Sequence, residues 1–301
     1  MIQMSFLYEQ VKIGQVTGMR LLGYEGEARR LRVPDSLDGL PVISVGKQAF
    51  TEKNHKLEEV TLPAGLLEVE SFAFSFCSAL RKLNLSDSIV SFHDGAIRTC
   101  FNLRDIELKI SNNGFVLARR LLGDSDRKLR VKFLFSEEDL QLVFPDYYSN
   151  SIEDTRSQAF HIRIDGCGFS YRECVCTGGL RLREYDSLFG RAVSAGDPEA
   201  AASIAVSRLM YPRGLSEQAG CVYRDHIRKH MEQILPLCIL QENEGWMELL
   251  MKEKLLSEAD MDTALRLTTE YGLTQLSGEL MAYRSNEYDT KKGILTLEDD
   301  W

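Results

Sequence analysis

The chain has 301 residues, a net charge of −9 and a pI near 5.2, with 44% hydrophobic and 27% charged residues. At roughly 100–200 residues per domain, this length predicts about two domains, and the composition is close to the average of globular proteins. The acidic balance argues against non-specific nucleic-acid binding, which needs clustered Lys and Arg, and no apolar run reaches the roughly 18 residues of a membrane helix.

The N-terminal segment carries no visible targeting signal. Polar Glu9, Gln10 and Lys12 interrupt the apolar run that a secretory signal needs. The seven cysteines are an odd number in a long chain, unlike the dense, even set of a small secreted domain. We therefore expect reduced thiols and a cytoplasmic protein, or a surface-attached one if a leader has been removed.

A repeat of 23 residues begins after the N-terminal segment. Residues 57–77 recur at 80–100, the opening of the copy recurs from Leu103, and a longer copy starts at Leu31. In each copy apolar residues alternate with polar ones, as in a half-buried strand. One such coil cannot bury its apolar face alone, so the copies should stack into a solenoid with a parallel ladder of short strands. The alternating apolar positions are Val60 and Leu62, Leu83 and Leu85, and Ile106 and Leu108.

These copies resemble the BspA-type leucine-rich repeat family. The matching segments are LRVPDSLDGLPVISVGKQAF (31–50), LEEVTLPAGLLEVESFAFSFCSAL (57–80) and LRKLNLSDSIVSFHDGAIRTCFNL (80–103), preceded by Gly23-Tyr24-x-Gly26. The resemblance spans roughly residues 15–110 and implies protein or surface recognition without catalysis. Many members are secreted or surface-attached, which the N-terminus of this chain does not match, and the few repeats would give a small recognition surface.

The outward positions of the strand ladder form two columns of polar side chains, because residues between buried ones face the other side of a strand. The first column alternates in charge, and opposite charges on neighbouring strands stabilise a sheet by roughly 0.2–1 kcal/mol per pair. The columns are either a self-neutralising ladder that keeps the strands in register or a face that binds a protein partner. The first column is Arg30, Glu59, Lys82 and Asp105, and the second is Arg32, Thr61, Asn84 and Glu107.

Strand character continues through residues 129–180 without a clear 23-residue period. Alternation over 129–135 and 140–144, with a turn at 136–139, predicts a hairpin, and the pattern over 160–164 predicts a further strand. We expect this region to extend or cap the solenoid, because a terminal repeat must cover the open end of the core.

Two groups of cysteines each have two interpretations. Cys167, Cys174 and Cys176 lack the ligand spacing and the second ligand pair of a structural zinc site, so buried or edge thiols are favoured, with Cys174 and Cys176 on one strand face. Cys77 and Cys100 hold equivalent repeat positions. A disulfide between them is geometrically conceivable, but a ladder of small apolar thiols is favoured.

From about Tyr185 the apolar period becomes helical. Asp197 and Pro198 are typical of a helix start, and one face of that helix should carry Ala201, Ile204, Ala205 and Leu209. Short glycine turns at Gly196, Gly245 and Gly272 predict antiparallel helix pairs, which faintly resemble ankyrin-type repeats over 192–209, although spacings of 49 and 27 residues do not match the period of that family. Further helices are predicted near 217–241, 245–256, 258–271 and 273–285.

His226 and His230 lie four residues apart on a predicted helix, with Cys221 five residues before the first. Such a pair can chelate a metal, but Ile227 stands where a zinc protease carries Glu, and the alternative is a solvated basic helix face. The sequence holds no G-x-S-x-G motif and no phosphate-binding glycine loop. A metal-binding or enzymatic module in residues 130–240 is the second functional hypothesis.

Together these patterns predict an α+β protein in three parts. A leucine-rich-repeat solenoid with a β-rich cap spans 1–183 (repeats 20–110), an α-helical hairpin domain spans 184–288, and an acidic tail spans 289–301. We expect a non-enzymatic adaptor or scaffold without a cofactor. It would bind an unknown protein partner, with no nucleic acid and no membrane insertion. A third hypothesis is a structural protein that oligomerises through its helical domain.

Overall fold

The computed structural model describes residues 5–111, 115–154, 159–240 and 245–289. The chain divides into two compact units, residues 1–195 and 196–301. The first unit continues past the change from strand to helix predicted after residue 183, because it includes the short helices Leu182–Ser187 and Phe189–Ser194. The predicted acidic tail lies outside the described residues from position 290 onward.

The strands belong to the first unit. They are β1 (Ser5–Ile13), β2 (Val16–Glu25), β3 (Arg30–Arg32), β4 (Ser36–Leu37), β5 (Leu40–Val45), β6 (Glu59–Thr61), β7 (Glu68–Val69), β8 (Lys82–Ser86), β9 (Ser91–Phe92), β10 (Asp105–Lys109), β11 (Leu129–Leu134), β12 (Leu140–Phe144), β13 (Tyr148–Asp154), β14 (Ala159–Asp165), β15 (Val175–Cys176) and β16 (Gly179–Leu180).

Helices occur in both units. The first unit has α1 (Phe115–Gly123), α2 (Gly168–Arg172), α3 (Leu182–Ser187) and α4 (Phe189–Ser194), together with a 3-10 turn at Glu52–Asn54. The second unit has α5 (Pro198–Met210), α6 (Glu217–Lys229), α7 (Met231–Leu240), α8 (Trp246–Lys252), α9 (Glu258–Glu270) and α10 (Thr274–Arg284), followed by a π-helical turn at Ser285–Asp289.

The solenoid consists of two sheets that share the same coils. The ladder sheet has the order β12-β11-β10-β8-β6-β3, and the lateral sheet has the order β1-β2-β5-β7-β9, with β4 beside β5. Five strands of the ladder sheet run parallel to one another: β3, β6, β8, β10 and β11. Strand β12 closes the ladder sheet as an antiparallel hairpin with β11. The predicted α+β solenoid with a β-rich extension is confirmed, and so is the hairpin.

Stacking in register places the core between the two sheets. Leu31, Val60, Leu83, Ile106 and Val131 are aligned across the ladder sheet and are all buried. At the corner of the coils the rings of Phe50 and Phe74 stack with centroids 4.9 Å apart. Each fully buried aliphatic or aromatic side chain contributes roughly 1.5–3 kcal/mol, so the repeat period itself assembles the core.

A left-handed residue recurs at one corner of successive coils. Gln48, Phe72 and Gly95 have φ values of 56°, 60° and 78°, and each precedes a buried alanine of the tight corner. An L residue with a Cβ in this conformation costs roughly 1–2 kcal/mol, whereas glycine does not. Gly95 has a second requirement, because a Cβ there would lie 2.7 Å from the ring of Phe72.

The structure corrects two expectations within the first unit. Residues 168–172 form helix α2 instead of a strand, so Cys174 and Cys176 do not share a strand face: Cys176 ends β15, while Cys174 lies outside it. Helix α1 takes the place of the next lateral strand and was not predicted from the sequence. Its buried Leu117, Ala118, Leu121 and Leu122 follow a helical period that could have indicated it.

In the second unit the first helix begins at the predicted capping residue, but the boundaries of later helices differ from the predicted ones. The carboxylate of Asp197 accepts a hydrogen bond from Ala200 N at 3.0 Å, with Pro198 at the first helical position. Helix α5 is buried at every position from Ala200 to Leu209, whereas the spacing of its apolar residues predicts one buried face. Alanines and serines make this helix narrow enough to be surrounded on all sides.

The prediction of a single helix over 217–241 is wrong. His230 leaves the helical conformation, with φ −117° and ψ 24°, and separates α6 from α7. Helix α8 ends at Lys252, four residues before the predicted end at 256. The glycine turns do occur, with positive φ at Gly196, Gly245 and Gly272, and α9 and α10 pack against each other across the last of them.

Candidate recognition face

The ladder sheet aligns both polar columns residue by residue. Arg30 lies opposite Glu59, Glu59 opposite Lys82, and Lys82 opposite Asp105. The second column is aligned in the same way through Arg32, Thr61, Asn84 and Glu107. We call this outward surface of the ladder sheet, defined by the two columns, the ladder face.

Ion pairs run along the first column. Arg30 Nε lies 3.6 Å from a carboxylate oxygen of Glu59, and Lys82 Nζ lies 3.8 Å from the other oxygen of Glu59. At the far end the guanidinium of Arg130 donates two hydrogen bonds to Asp105, at 2.6 and 3.0 Å. This fork geometry is the strongest pairing of the face, because both nitrogens meet both oxygens.

Polar contacts also connect the two columns. Asn84 Nδ2 donates to Glu59 Oε1 at 2.8 Å and to Thr61 Oγ1 at 3.0 Å. Lys82 Nζ lies 2.8 Å from Glu107 Oε1. The side chains in the middle of the face are therefore held in place by their neighbours.

Sequence reasoning missed the last member of each column. Arg130 lies opposite Asp105, and Lys132 lies opposite Glu107, so β11 adds a cation to both columns. The spacing from Asp105 to Arg130 is 25 residues, longer than the 23-residue period, because helix α1 replaces the short lateral strand of this coil. The alternation in Leu129-Arg130-Val131-Lys132 was the available signal.

Exposure differs between the middle and the N-terminal end of the ladder face. The Lys82 side chain is 34% exposed and that of Glu59 is 25% exposed, whereas that of Arg30 is 85% exposed. Arg32 is exposed as well. Surface ion pairs of this kind contribute about 0–1 kcal/mol each, so the face offers hydrogen-bonding groups at fixed spacing more than it stabilises the fold.

The paired repeat cysteines are buried free thiols. Cys77 Sγ lies 3.7 Å from the carbonyl oxygen of Thr51, and Cys100 Sγ lies 3.1 Å from that of Phe74. Burial raises the pKa of Cys77 to about 12 and raises the pKa of Cys100 above its usual range. Both positions carry protonated side chains that fill the corner, as the thiol interpretation expected.

The second group of cysteines, Cys167, Cys174 and Cys176, does not form a metal-binding cluster. Cys167 precedes α2, Cys174 follows it, and burial raises the pKa of Cys174 to about 11. Among the residues that the structure describes, no three His, Cys, Asp or Glu side chains are grouped so that they could hold a metal ion.

The histidine pair lies at the C-terminal end of α6. The rings of His226 and His230 are 4.4 Å apart between centroids. Burial, together with the nearby charges of His230 and Lys229, lowers the pKa of His226 to about 4. Arg228 and Lys229 are exposed beside them, whereas both histidines are partly buried. Cys221 is exposed on the same helix, with its thiol 3.9 Å from Glu217 Oε1.

None of the helices in the described ranges combines the length and the apolar character that a membrane crossing requires.

Comparison with known proteins identifies the repeats. A family model described as BspA type leucine rich repeat region matches residues 35–116 with six copies. No curated protein matches this chain.

Several solved structures are similar at low identity. A leucine rich cell surface protein from Faecalibacterium prausnitzii A2-165 is 20% identical, with 37% of this chain and 35% of that chain covered and a TM-score of 0.27. A leucine-rich repeat protein from Bacteroides ovatus ATCC 8483 is 20% identical, with 44% and 36% covered and a TM-score of 0.29. The T. pallidum leucine rich repeat protein is 21% identical, with 34% and 68% covered and a TM-score of 0.20.

This chain spans about a third of the length of the first two structures. The matched copies are the coils that carry β6, β8 and β10, the middle strands of the ladder face. Residues 35–116 of this protein are therefore similar to leucine-rich repeat regions of the BspA type.

Proposed function

We propose that the first unit is a non-catalytic protein-binding module and that the ladder face is its recognition surface. Leucine-rich repeat proteins are generally protein-interaction or surface modules, because a solenoid presents one continuous face built from repeated positions. The observation that carries the proposal is the register of five parallel strands, which aligns Arg30 through Arg130 and Arg32 through Lys132 in two straight columns.

The contacts among side chains of the ladder face favour recognition, because they reduce the conformational free energy that is lost on binding. A side chain that is immobilised on binding costs roughly 0.5–1.5 kcal/mol in lost freedom. Glu59, Lys82 and Asn84 already hold one another through contacts of 2.8–3.8 Å. Charges of alternating sign at fixed spacing select a partner with the complementary pattern and repel one with the wrong pattern.

Quantitative affinity capture with the full-length chain tests this proposal. The variant combines Lys82→Glu with Glu107→Lys, which keeps one acidic and one basic side chain at these two positions but reverses the local charge pattern. The control is Arg266→Glu on α9, an exposed residue of the other unit. We expect a specific partner that the unmodified chain and the control retain and the ladder variant loses at least ten-fold. No specific partner, or equal capture by all three chains, would overturn the proposal.

A further inference from the structure

We infer that strand β3 is a docking edge for an extended acidic peptide, which adds to the ladder sheet as one more parallel or antiparallel strand. The inference rests on the proposed function, because it names the chemistry of a partner for the N-terminal end of the ladder face. Strand β3 is the last strand of its sheet: within the described residues it pairs with β6 on one side and with no strand on the other.

The backbone of β3 has its outer hydrogen-bonding groups at two residues. On the inner side, Glu59 N donates to Arg29 O and Val33 N donates to Thr61 O, both at 2.9 Å. Because alternate residues of a strand direct their N–H and C=O groups to opposite sides, those of Arg30 and Arg32 face the outer edge. An exposed edge of this kind is a template for strand addition, in which the main chain supplies affinity and the side chains supply specificity.

The charges at this edge define what the added strand must carry. Lys82, in the middle of the face, lies between two carboxylates, with Glu59 at 3.8 Å and Glu107 at 2.8 Å. Arg30 has the Glu59 carboxylate at 3.6 Å on its inner side only. An acidic residue opposite Arg30 on an added strand would give Arg30 the second carboxylate that Lys82 already has, and opposite charges on neighbouring strands attract.

The next positions extend this requirement to a three-residue pattern. Arg32 is exposed, and its inner neighbour is the neutral Thr61, so a second acidic residue fits opposite Arg32. Leu31 between them points to the core and is 4% exposed. A small apolar residue between the two acidic ones would therefore continue the buried column, and the expected sequence is acidic, apolar, acidic.

The same charges exclude the other occupants of a free edge. A second copy of β3 would place arginines opposite arginines, and like charges directly opposite are destabilising. Short, charged edge strands are a common protection against self-association. Arg30 and Arg32 thus repel basic strands and copies of themselves while attracting an acidic strand, so the edge discriminates by repulsion as well as by attraction.

The test measures fluorescence anisotropy of labelled eight-residue peptides with the full-length protein. One peptide has the core Glu-Val-Glu and the matched control has Lys-Val-Lys. We expect the acidic peptide to bind at least ten-fold more tightly, and Arg32→Glu to reduce that binding at least ten-fold. Arg32→Gln serves the same purpose if the charge reversal impairs folding. Equal binding of the two peptides, or no effect of either substitution, would overturn the inference.

A second measurement separates strand addition from simple charge attraction. Two versions of the acidic peptide carry N-methyl groups on alternate, complementary sets of amides. Strand addition requires one set to abolish binding and the other to leave it within about three-fold, since only every second N–H faces β3. If both versions bind equally, the peptide is not a strand and the inference is wrong.

The outcome for β3 can be distinguished from the outcome for the ladder face. The Lys82→Glu and Glu107→Lys double variant leaves the outer edge of β3 intact, so peptide binding should persist in it. If no acidic peptide binds while that variant still loses its captured partner, the docking edge is refuted and the proposed function stands. If the peptide binds but the double variant captures the same proteins as the unmodified chain, the ladder face is refuted and the edge stands.

Discussion

Tyr185 and Val143 exchange two hydrogen bonds: the hydroxyl of Tyr185 donates to the carbonyl oxygen of Val143 at 2.6 Å and accepts from its N–H at 2.9 Å. Val143 lies on β12, the last strand at the C-terminal end of the ladder sheet. A side chain of α3 thus occupies the main-chain groups that another strand would use. The two ends of the sheet differ, because at the other end no described strand pairs with the outer edge of β3.

The first prediction concerns this closure. Tyr185→Phe leaves the buried N–H and C=O of Val143 without the hydroxyl, and an unsatisfied buried polar group costs roughly 1–3 kcal/mol. We expect a fall of that size in the free energy of unfolding, measured by urea denaturation. Tyr271→Phe is the matched control, because Tyr271 is 51% exposed. Equal unfolding midpoints for the two variants would show that the hydroxyl does not matter.

The second prediction concerns Arg172, a buried cation held by carbonyl oxygens. Burial lowers its pKa to about 10, which still leaves it charged at neutral pH. Its guanidinium also lies 4.8 Å above the ring of Tyr147. The accepting oxygens belong to Leu122, Ser125, Arg127, Pro145 and Gly168, at 2.6–3.2 Å.

Replacing Arg172 should release several chain segments at once. We expect Arg172→Met to lower the free energy of unfolding by at least about 2 kcal/mol, since hydrogen bonds to charged groups contribute roughly 1.5–3 kcal/mol each. Arg172→Lys should recover little of the lost stability, because an ammonium group cannot reproduce the planar fork of the guanidinium. Arg119→Met, at an exposed arginine of α1, controls for the loss of a charge. A stable Arg172→Lys variant would contradict the importance of the fork.

The third prediction couples Gly95 to Phe72. Gly95→Ala adds a Cβ to a residue in the left-handed conformation, which costs roughly 1–2 kcal/mol of stability. The same Cβ would lie 2.7 Å from the Phe72 ring. Adding Phe72→Ala should recover the loss of stability that the clash with the ring causes, but not the loss that the backbone conformation causes. A double-mutant cycle measured by thermal unfolding gives the coupling. Gly65→Ala, with open space around the new Cβ, should be nearly neutral, and strict additivity of the two changes would refute the contact.

The fourth prediction is a pH dependence that originates at His226. Its pKa is lowered from 6.5 to about 4, chiefly by burial, so the folded state favours the neutral ring. The unfolded chain takes up the proton first, and the stability contributed by neutral His226 is therefore full above pH 6.5 and is lost as the pH falls toward 4. The unmodified protein should lose Tm more steeply across this window than His226→Gln. Parallel Tm curves would contradict the assignment, and the exposed His55→Gln serves as control.

The repeat allowed the register of the ladder face to be predicted from residues alone. When copies stack, a fixed period of 23 residues places equivalent positions side by side, so Glu59, Lys82 and Asp105 had to align, and the matching strand pattern of the longer first copy added Arg30. The helix start at Asp197 and Pro198 was equally readable, because capping chemistry is local. These features depend on neighbours in sequence or on exact repetition.

Features that depend on contacts between distant segments were decided by the tertiary structure alone. The hydroxyl of Tyr185 finds Val143 across a separation that no spacing rule connects, and Arg172 gathers carbonyl oxygens from three segments that carry no shared motif. Arg130 joined the first column only because α1 packs beside β9 and returns the chain to the ladder sheet. The sequence by itself determined the repeating surface, since each coil repeats one local pattern. The two ends of that surface were decided by the fold, since an end has no copy beyond it to stack on and is covered, or left open, by whatever distant segment packs there.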